Sequence, residues 1–205
     1  MTIKHFCGGP VRGVTVLLIG VLLASPMAGH AADAGKIATA QCADCHGVDG
    51  NADTGKDIPR IAGQHANYIV KQLKEFATGR RRNEDMTRIS TALNDDESVA
   101  VAAWYASKKA LSGKVGDTKL ADTGRQIYED GNGDPAVQPC AVCHQSDGSG
   151  NARFPRIAGQ QKPYLVKQLG DFKSGRRATD PQMVEIAKHL NTNEIQALTE
   201  YIGGL

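Results

Sequence analysis

Two pentapeptides dominate the chemistry open to this chain: Cys42-Ala43-Asp44-Cys45-His46 and Cys140-Ala141-Val142-Cys143-His144. Both are Cys-x-x-Cys-His, the attachment pattern of c-type haem. Two thiols three residues apart can each bond one of the two vinyl groups on a porphyrin edge. The next residue can then turn its imidazole onto the iron from one face. Cys42, Cys45, Cys140 and Cys143 are thus the candidate attachment residues for two haem c groups, with His46 and His144 as iron ligands. A lone Cys-x-x-Cys would equally fit a thioredoxin-like redox pair or half of a zinc site. Two copies in register with a repeat favour haem. A four-cysteine zinc site assembled from both halves would leave the two histidines unexplained.

A sixth ligand is sought next. Beyond the first thirty-one residues only two methionines occur, Met86 and Met183, each about forty residues after its histidine. Both follow a Gly-Arg-Arg element and precede an apolar helix. Methionine is ordinarily a flexible core filler, but the matched positions and the lack of any other methionine favour axial ligation. His65 and His189 do not correspond across the two halves, and each reads as a surface or ordinary hydrogen-bonded histidine.

The elements that must position these groups come as a duplication. Ile58-Pro59-Arg60-Ile61-Ala62-Gly63-Gln64 returns as Phe154-Pro155-Arg156-Ile157-Ala158-Gly159-Gln160. Tyr68, Lys71-Gln72-Leu73, Gly79-Arg80-Arg81 and Leu93-Asn94 return as Tyr164, Lys167-Gln168-Leu169, Gly175-Arg176-Arg177 and Leu190-Asn191. The period is too long for a solenoid unit, so it marks two domains. Leu111 to Lys119, rich in Gly, Ser and charge, is the expected break, giving domains over residues 32–112 and 113–205. Each half reads as helical. Asp33 to Cys42 and Thr118 to Asp130 are the expected opening helices. Tyr68, Ile69, Leu73, Phe76 and Tyr164, Leu165, Leu169, Phe172 recur at helical spacing, with Gly79 and Gly175 as stops. Ser98 to Lys109 and Asn193 to Ile202 are the expected closing helices. Such short domains with few large aromatics have small cores, and a covalent haem would fill the middle of each.

The first thirty-one residues read as a secretory signal. Lys4 and Arg12 are basic, Val14 to Ala24 is unbroken apolar sequence, and Gly29-His30-Ala31 offers small residues for cleavage after Ala31. The alternative is an uncleaved anchor. Cys7 precedes the apolar run and would leave with the signal. Removing the segment leaves 22 basic and 22 acidic residues, eleven of each per half. That balance argues against nucleic acid as a partner, and charge alone does not orient the molecule.

These features together resemble the class I cytochromes c, and specifically the di-haem cytochrome c4 family. The resemblance rests on the two Cys-x-x-Cys-His halves, the repeated Pro-Arg-Ile-Ala-Gly-Gln, the Tyr/Lys-Gln-Leu helix and the late methionine. It implies an all-α fold of two tandem domains, each wrapped around a covalent haem, meeting across a pseudo-two-fold interface. It implies that the Pro59 and Pro155 carbonyls accept the ring N–H of the proximal histidines, a bond that orients metal-bound imidazoles generally. Arg60 and Arg156 either pair with haem propionates or stand exposed without a special partner. It implies an exported periplasmic one-electron carrier, not an enzyme. The implied partners are redox proteins: a cytochrome bc-like donor and a haem-copper oxidase as acceptor. Membrane contact would come only through those partners. The alternatives are a haem subunit of a periplasmic dehydrogenase complex and a di-haem peroxidase-like enzyme, which needs one iron able to open a site. The second half departs slightly: Gln145 stands where the first half has Gly47, and His144 lies eleven positions before its proline, against thirteen for His46. Unequal solvent access and unequal potentials are expected from this.

Overall fold

The computed structural model describes Thr2, residues 28–52 and residues 57–205, with the side chains of the first helix given from Asp33 onward. The expected signal segment, Cys7 included, lies outside the described residues apart from Thr2 and residues 28–31. Helices and loops account for every described residue, and no strand occurs among them. No helix among them is long and apolar enough to cross a membrane.

The first domain opens with α1 (Ala28–Ile37), which widens into a π-helical turn (Ala38–Cys42) and continues as the single turn α2 (Ala43–His46). Then come α3 (Ala66–Ala77), α4 (Glu84–Ala92) and α5 (Asp95–Ala106). The second domain repeats the order as α6 (Thr118–Asp130), α7 (Ala141–His144), α8 (Lys162–Lys173), α9 (Pro181–Lys188) and α10 (Thr192–Gly204). In α3 the buried face is Ile69, Leu73 and Phe76, as helical periodicity requires. Gly79, at φ 70°, then takes the left-handed conformation that ends the helix, and Gly175 does so at φ 74° after α8.

The closing helices differ from the sequence expectation. They begin earlier, because Asn94 and Asn191 form capping boxes with Glu97 and Glu194. The first ends at Ala106, short of Lys109. Met86 and Met183 lie inside α4 and α9, not before a helix. Asn83 and Asp180 cap those helices by accepting from the methionine amides themselves, at 2.9 and 3.1 Å.

Each domain packs its opening helix across its closing helix, α1 on α5 and α6 on α10. The second crossing is close: a Cβ on Gly124 would run into the Ala197 carbonyl. Two compact cores follow. One gathers Ile69, Leu73, Val101 and Tyr105, and the other Ile127, Tyr128, Leu165, Leu190 and Leu198. The connecting segment follows α10 rather than hanging free. Gly113 N–H donates to the Leu205 carbonyl at 3.2 Å, and Asp117 N–H donates to Glu200 at 2.9 Å.

Candidate haem-binding sites

The Cys-x-x-Cys-His motifs sit on α2 and α7, single turns that leave each histidine at a helix end facing inward. His46 Nδ1 donates to the Pro59 carbonyl and His144 Nδ1 to the Pro155 carbonyl, both at 2.9 Å. With Nδ1 carrying the proton, Nε2 keeps its lone pair for a metal. Burial holds both imidazoles below the ordinary histidine range, against the opposing pull of those carbonyls, so they stay neutral. The two imidazoles are alike in exposure, His46 at 8% and His144 at 9%.

One continuous cavity of about 980 Å³ joins the two sites. Cys42, His46 and Met86 line it in the first domain, and Cys140, Cys143, His144 and Met183 in the second. Cys45 is exposed. Burial pushes the Cys42 thiol up, opposed by its bond to the Tyr105 hydroxyl, and pushes Cys140 up to about 11. No group of three or more His, Cys, Asp or Glu among the described residues is placed to hold a metal ion.

The cavity suits a porphyrin with an apolar body and a carboxylate edge. Ile69, Leu73, Phe76, Leu165, Leu169 and Phe172 supply apolar wall. Where the domains meet, two buried guanidiniums line it. Arg81 donates to Gln72 Oε1 (2.6 Å), Gln168 Oε1 (2.8 Å) and the Tyr164 hydroxyl (2.8 Å). Arg177 mirrors it on Gln168 Oε1 (2.8 Å), Gln72 Oε1 (2.9 Å) and the Tyr68 hydroxyl (2.9 Å). These acceptors are neutral, and Arg177 Nε is buried without a partner. The fully buried Glu75, which accepts from Gln72 Nε2 at 2.8 Å, places one negative charge beside this pair, and propionate carboxylates would add the rest of the compensation that two buried cations demand. Burial raises the Tyr164 phenol, yet the two guanidiniums beside it bring it below its ordinary value.

The same symmetry organises the rest of the interface. Gln160 Oε1 accepts from Arg60 N–H at 2.7 Å, and its amide donates to the Arg60 carbonyl at 2.8 Å. Gln64 makes the matching pair with Arg156, at 3.0 and 2.8 Å. Arg60 Nη1 donates to the Gly159 carbonyl at 2.8 Å, so this guanidinium joins the domains instead of standing exposed. His65 is also an interface residue, its Nε2 at 3.0 Å from the Ser149 carbonyl. His189 is a hydrogen-bonded surface histidine, with Nδ1 on Asp134 at 2.8 Å.

Sequence reasoning missed a pair of tyrosines. Tyr105 and Tyr128 are both fully buried. Each aims its hydroxyl at the carbonyl of the residue after the motif histidine, Tyr128 to Gln145 at 2.5 Å and Tyr105 to Gly47 at 3.5 Å. Tyr105 stands on the closing helix α5, whereas Tyr128 stands on the opening helix α6. No repeat alignment pairs them, because Tyr105 corresponds to Ile202.

A helical domain built around a covalent porphyrin, made twice in one chain, is a di-haem c-type cytochrome. The cytochrome c family model matches residues 31–108 and 121–205. Cytochrome c4 of Pseudomonas aeruginosa is 36% identical over 199 residues, covering 92% of this chain and 98% of that protein. The thiosulfate dehydrogenase electron acceptor of Stutzerimonas stutzeri is 35% identical over 209 residues, covering 96% of this chain and 94% of its own. The solved structure of reduced recombinant cytochrome c4 from Pseudomonas stutzeri superposes with a TM-score of 0.79 at 36% identity, covering 85% of this chain and 98% of that one. The chain belongs to the di-haem cytochrome c4 family: it is an electron carrier with two haem c groups.

Proposed function

We propose that Cys42 and Cys45 attach one haem and Cys140 and Cys143 the other, with axial pairs His46/Met86 and His144/Met183. The observation that carries this reading is the arrangement in each domain of a carbonyl-oriented imidazole and a capped methionine helix on one cavity. Bound haem c supplies a one-electron Fe(III)/Fe(II) couple. The Pro59 and Pro155 carbonyls hold the two imidazoles in one tautomer and orientation. Asn83 and Asp180 fix the turns that present the thioethers. Arg81 and Arg177 receive the carboxylate edges, and the apolar walls exclude water. With one imidazole and one thioether from the chain holding each iron, the haem would supply its couple at a potential raised relative to stronger donors. This supports a carrier without catalytic activity of its own.

The carrier works in the periplasm, taking electrons from a cytochrome bc-like donor and passing them to a haem-copper oxidase. Cleavage after Ala31 yields the mature chain, with domains over 32–112 and 113–205. A second reading, service to a periplasmic dehydrogenase, is favoured by the 35% identity to a thiosulfate dehydrogenase electron acceptor. The test is an absorption spectrum of the exported protein, oxidised and reduced, into the near infrared. Two covalent haems and a methionine–iron charge-transfer band for both are expected. A high-spin signal, or a band for one haem only, would mean an open iron and a peroxidase-like enzyme. Co-purification with a larger dehydrogenase would favour the second reading.

A further inference from the structure

A short chain of hydrogen bonds links the turn after each motif histidine back to the histidine ring. In the first domain Gly50 N–H donates to the Gly47 carbonyl at 3.1 Å, and the Gly50 carbonyl accepts from Ile61 N–H (2.8 Å) and Ala62 N–H (3.1 Å). Those bonds fix the segment whose Pro59 carbonyl orients His46. The second domain repeats the chain. Gly148 N–H donates to the Gln145 carbonyl at 3.1 Å, and its own carbonyl accepts from Ile157 N–H (2.8 Å) and Ala158 N–H (3.0 Å), beside the Pro155 carbonyl that orients His144. The far end of each chain is held from the closing helix at matched positions: Gly63 N–H donates to the Tyr105 carbonyl at 2.9 Å, and Gly159 N–H to the Ile202 carbonyl at 3.0 Å. The near end, the carbonyl of Gly47 or Gln145, is where a buried tyrosine hydroxyl arrives. That hydroxyl is not matched. It comes from Tyr105 on α5 in one domain and from Tyr128 on α6 in the other. A contact inherited from the duplicated unit would come from one position, and a phenylalanine would fill either place without needing an acceptor.

We propose that Tyr105 and Tyr128 are positioning residues for the haem-ligating histidines. Each hydroxyl pins the carbonyl that follows the histidine, and the turn carries that restraint to the proline carbonyl on the imidazole Nδ1–H. A bond to that N–H fixes the tautomer and ring plane of a metal-bound imidazole. The restraint comes from inside because the turns have little outside them: Val48 and Asp49 are exposed in one, Ser146 and Asp147 in the other. In the first domain the Tyr105 ring also packs on the turn, where a Cβ on Gly50 would meet it at 2.8 Å. This inference rests on His46 and His144 as iron ligands.

The experiment is hydrogen exchange of the two histidine ring N–H groups, followed by NMR in the reduced, diamagnetic, haem-loaded full chain. Tyr128→Phe should speed exchange at His144 about tenfold, the scale of one lost hydrogen bond, and leave His46 unchanged. Tyr105→Phe should act on His46 alone, and less, since its hydroxyl stands 3.5 Å from the carbonyl. Ile195→Val, a core deletion on α10 away from the cavity, controls for loss of stability alone and should leave both rings as in wild type. The proposal is overturned if Tyr128→Phe does not change exchange at His144, or if Ile195→Val speeds it as much. A wild-type histidine ring without the large ring-current shifts of an iron ligand would sink the ligation reading itself. Normal shifts with unchanged exchange sink the positioning role alone.

Discussion

Replacing Gln145 by glycine should stabilise the second domain. Gln145 is the one non-glycine residue with positive φ among the described residues, at φ 67° and ψ 159°. That region belongs almost wholly to glycine and costs about 1–3 kcal/mol for other residues. The equivalent residue of the first domain is a glycine, Gly47, at φ 78° and ψ 155°. The Gln145 side chain is exposed, so its removal loses little packing. The Tyr128 hydroxyl bonds the Gln145 carbonyl, which glycine also supplies. Against the relief stands the greater freedom of glycine in the unfolded chain, about 0.4–1 kcal/mol. The difference is a gain of about 0–2.6 kcal/mol, or a rise in Tm of up to about 10 °C at about 2–4 °C per kcal/mol. Circular dichroism melts of the haem-loaded, reduced protein would measure it. The reciprocal Gly47→Ala should lower Tm, since its Cβ would meet the Ala52 amide nitrogen at 3.2 Å in the same strained backbone. A fall in Tm for Gln145→Gly, or no cost for Gly47→Ala, would refute the reasoning.

Ser90 is buried at 4% exposure with an unpartnered hydroxyl, where the second domain has the fully buried Ala187. Ser90→Ala should therefore raise stability by about 1–2 kcal/mol in denaturant titrations, and a loss would show a partner for the hydroxyl. Tyr128→Phe removes the short bond to the Gln145 carbonyl and should cost about 1–2 kcal/mol. Tyr105→Phe removes a 3.5 Å contact to the Gly47 carbonyl and a weak bond to the Cys42 sulfur, so it should cost less in the same melts, and equal costs would contradict the geometry. His189 is raised above its ordinary 6.5, chiefly by its bond to Asp134 and further by Glu185, while desolvation opposes them. A group with a raised folded pKa stabilises the protein fully below its unfolded value and loses that contribution as pH rises through the folded one. Tm should fall as pH rises from below 6.5 toward neutrality and beyond. Asp134→Asn should flatten that slope, and an unchanged profile would rule out this pair as its source.

The haem chemistry was legible in the sequence because it is local. A Cys-x-x-Cys-His run carries its own attachment geometry, and the periodicity of Ile69, Leu73 and Phe76 is a property of one helix. Duplication added the domain count and matched Met86 with Met183. Helix starts were less legible, since Asn94 and Glu97 act as a capping box only once the intervening turn closes. The rest depended on tertiary packing. Arg81 reaches Tyr164 across 83 residues, and Arg177 reaches Tyr68 across 109. The repeated Gly-Arg-Arg looks the same in sequence whether its arginines face solvent or cross an interface. Tyr105 and Tyr128 place their hydroxyls at equivalent carbonyls from opposite helices, which repeat alignment cannot find. Covalent spacing acts over a few bonds and is written in residue order, whereas a hydrogen bond between domains exists only when packing brings distant surfaces within about 3 Å.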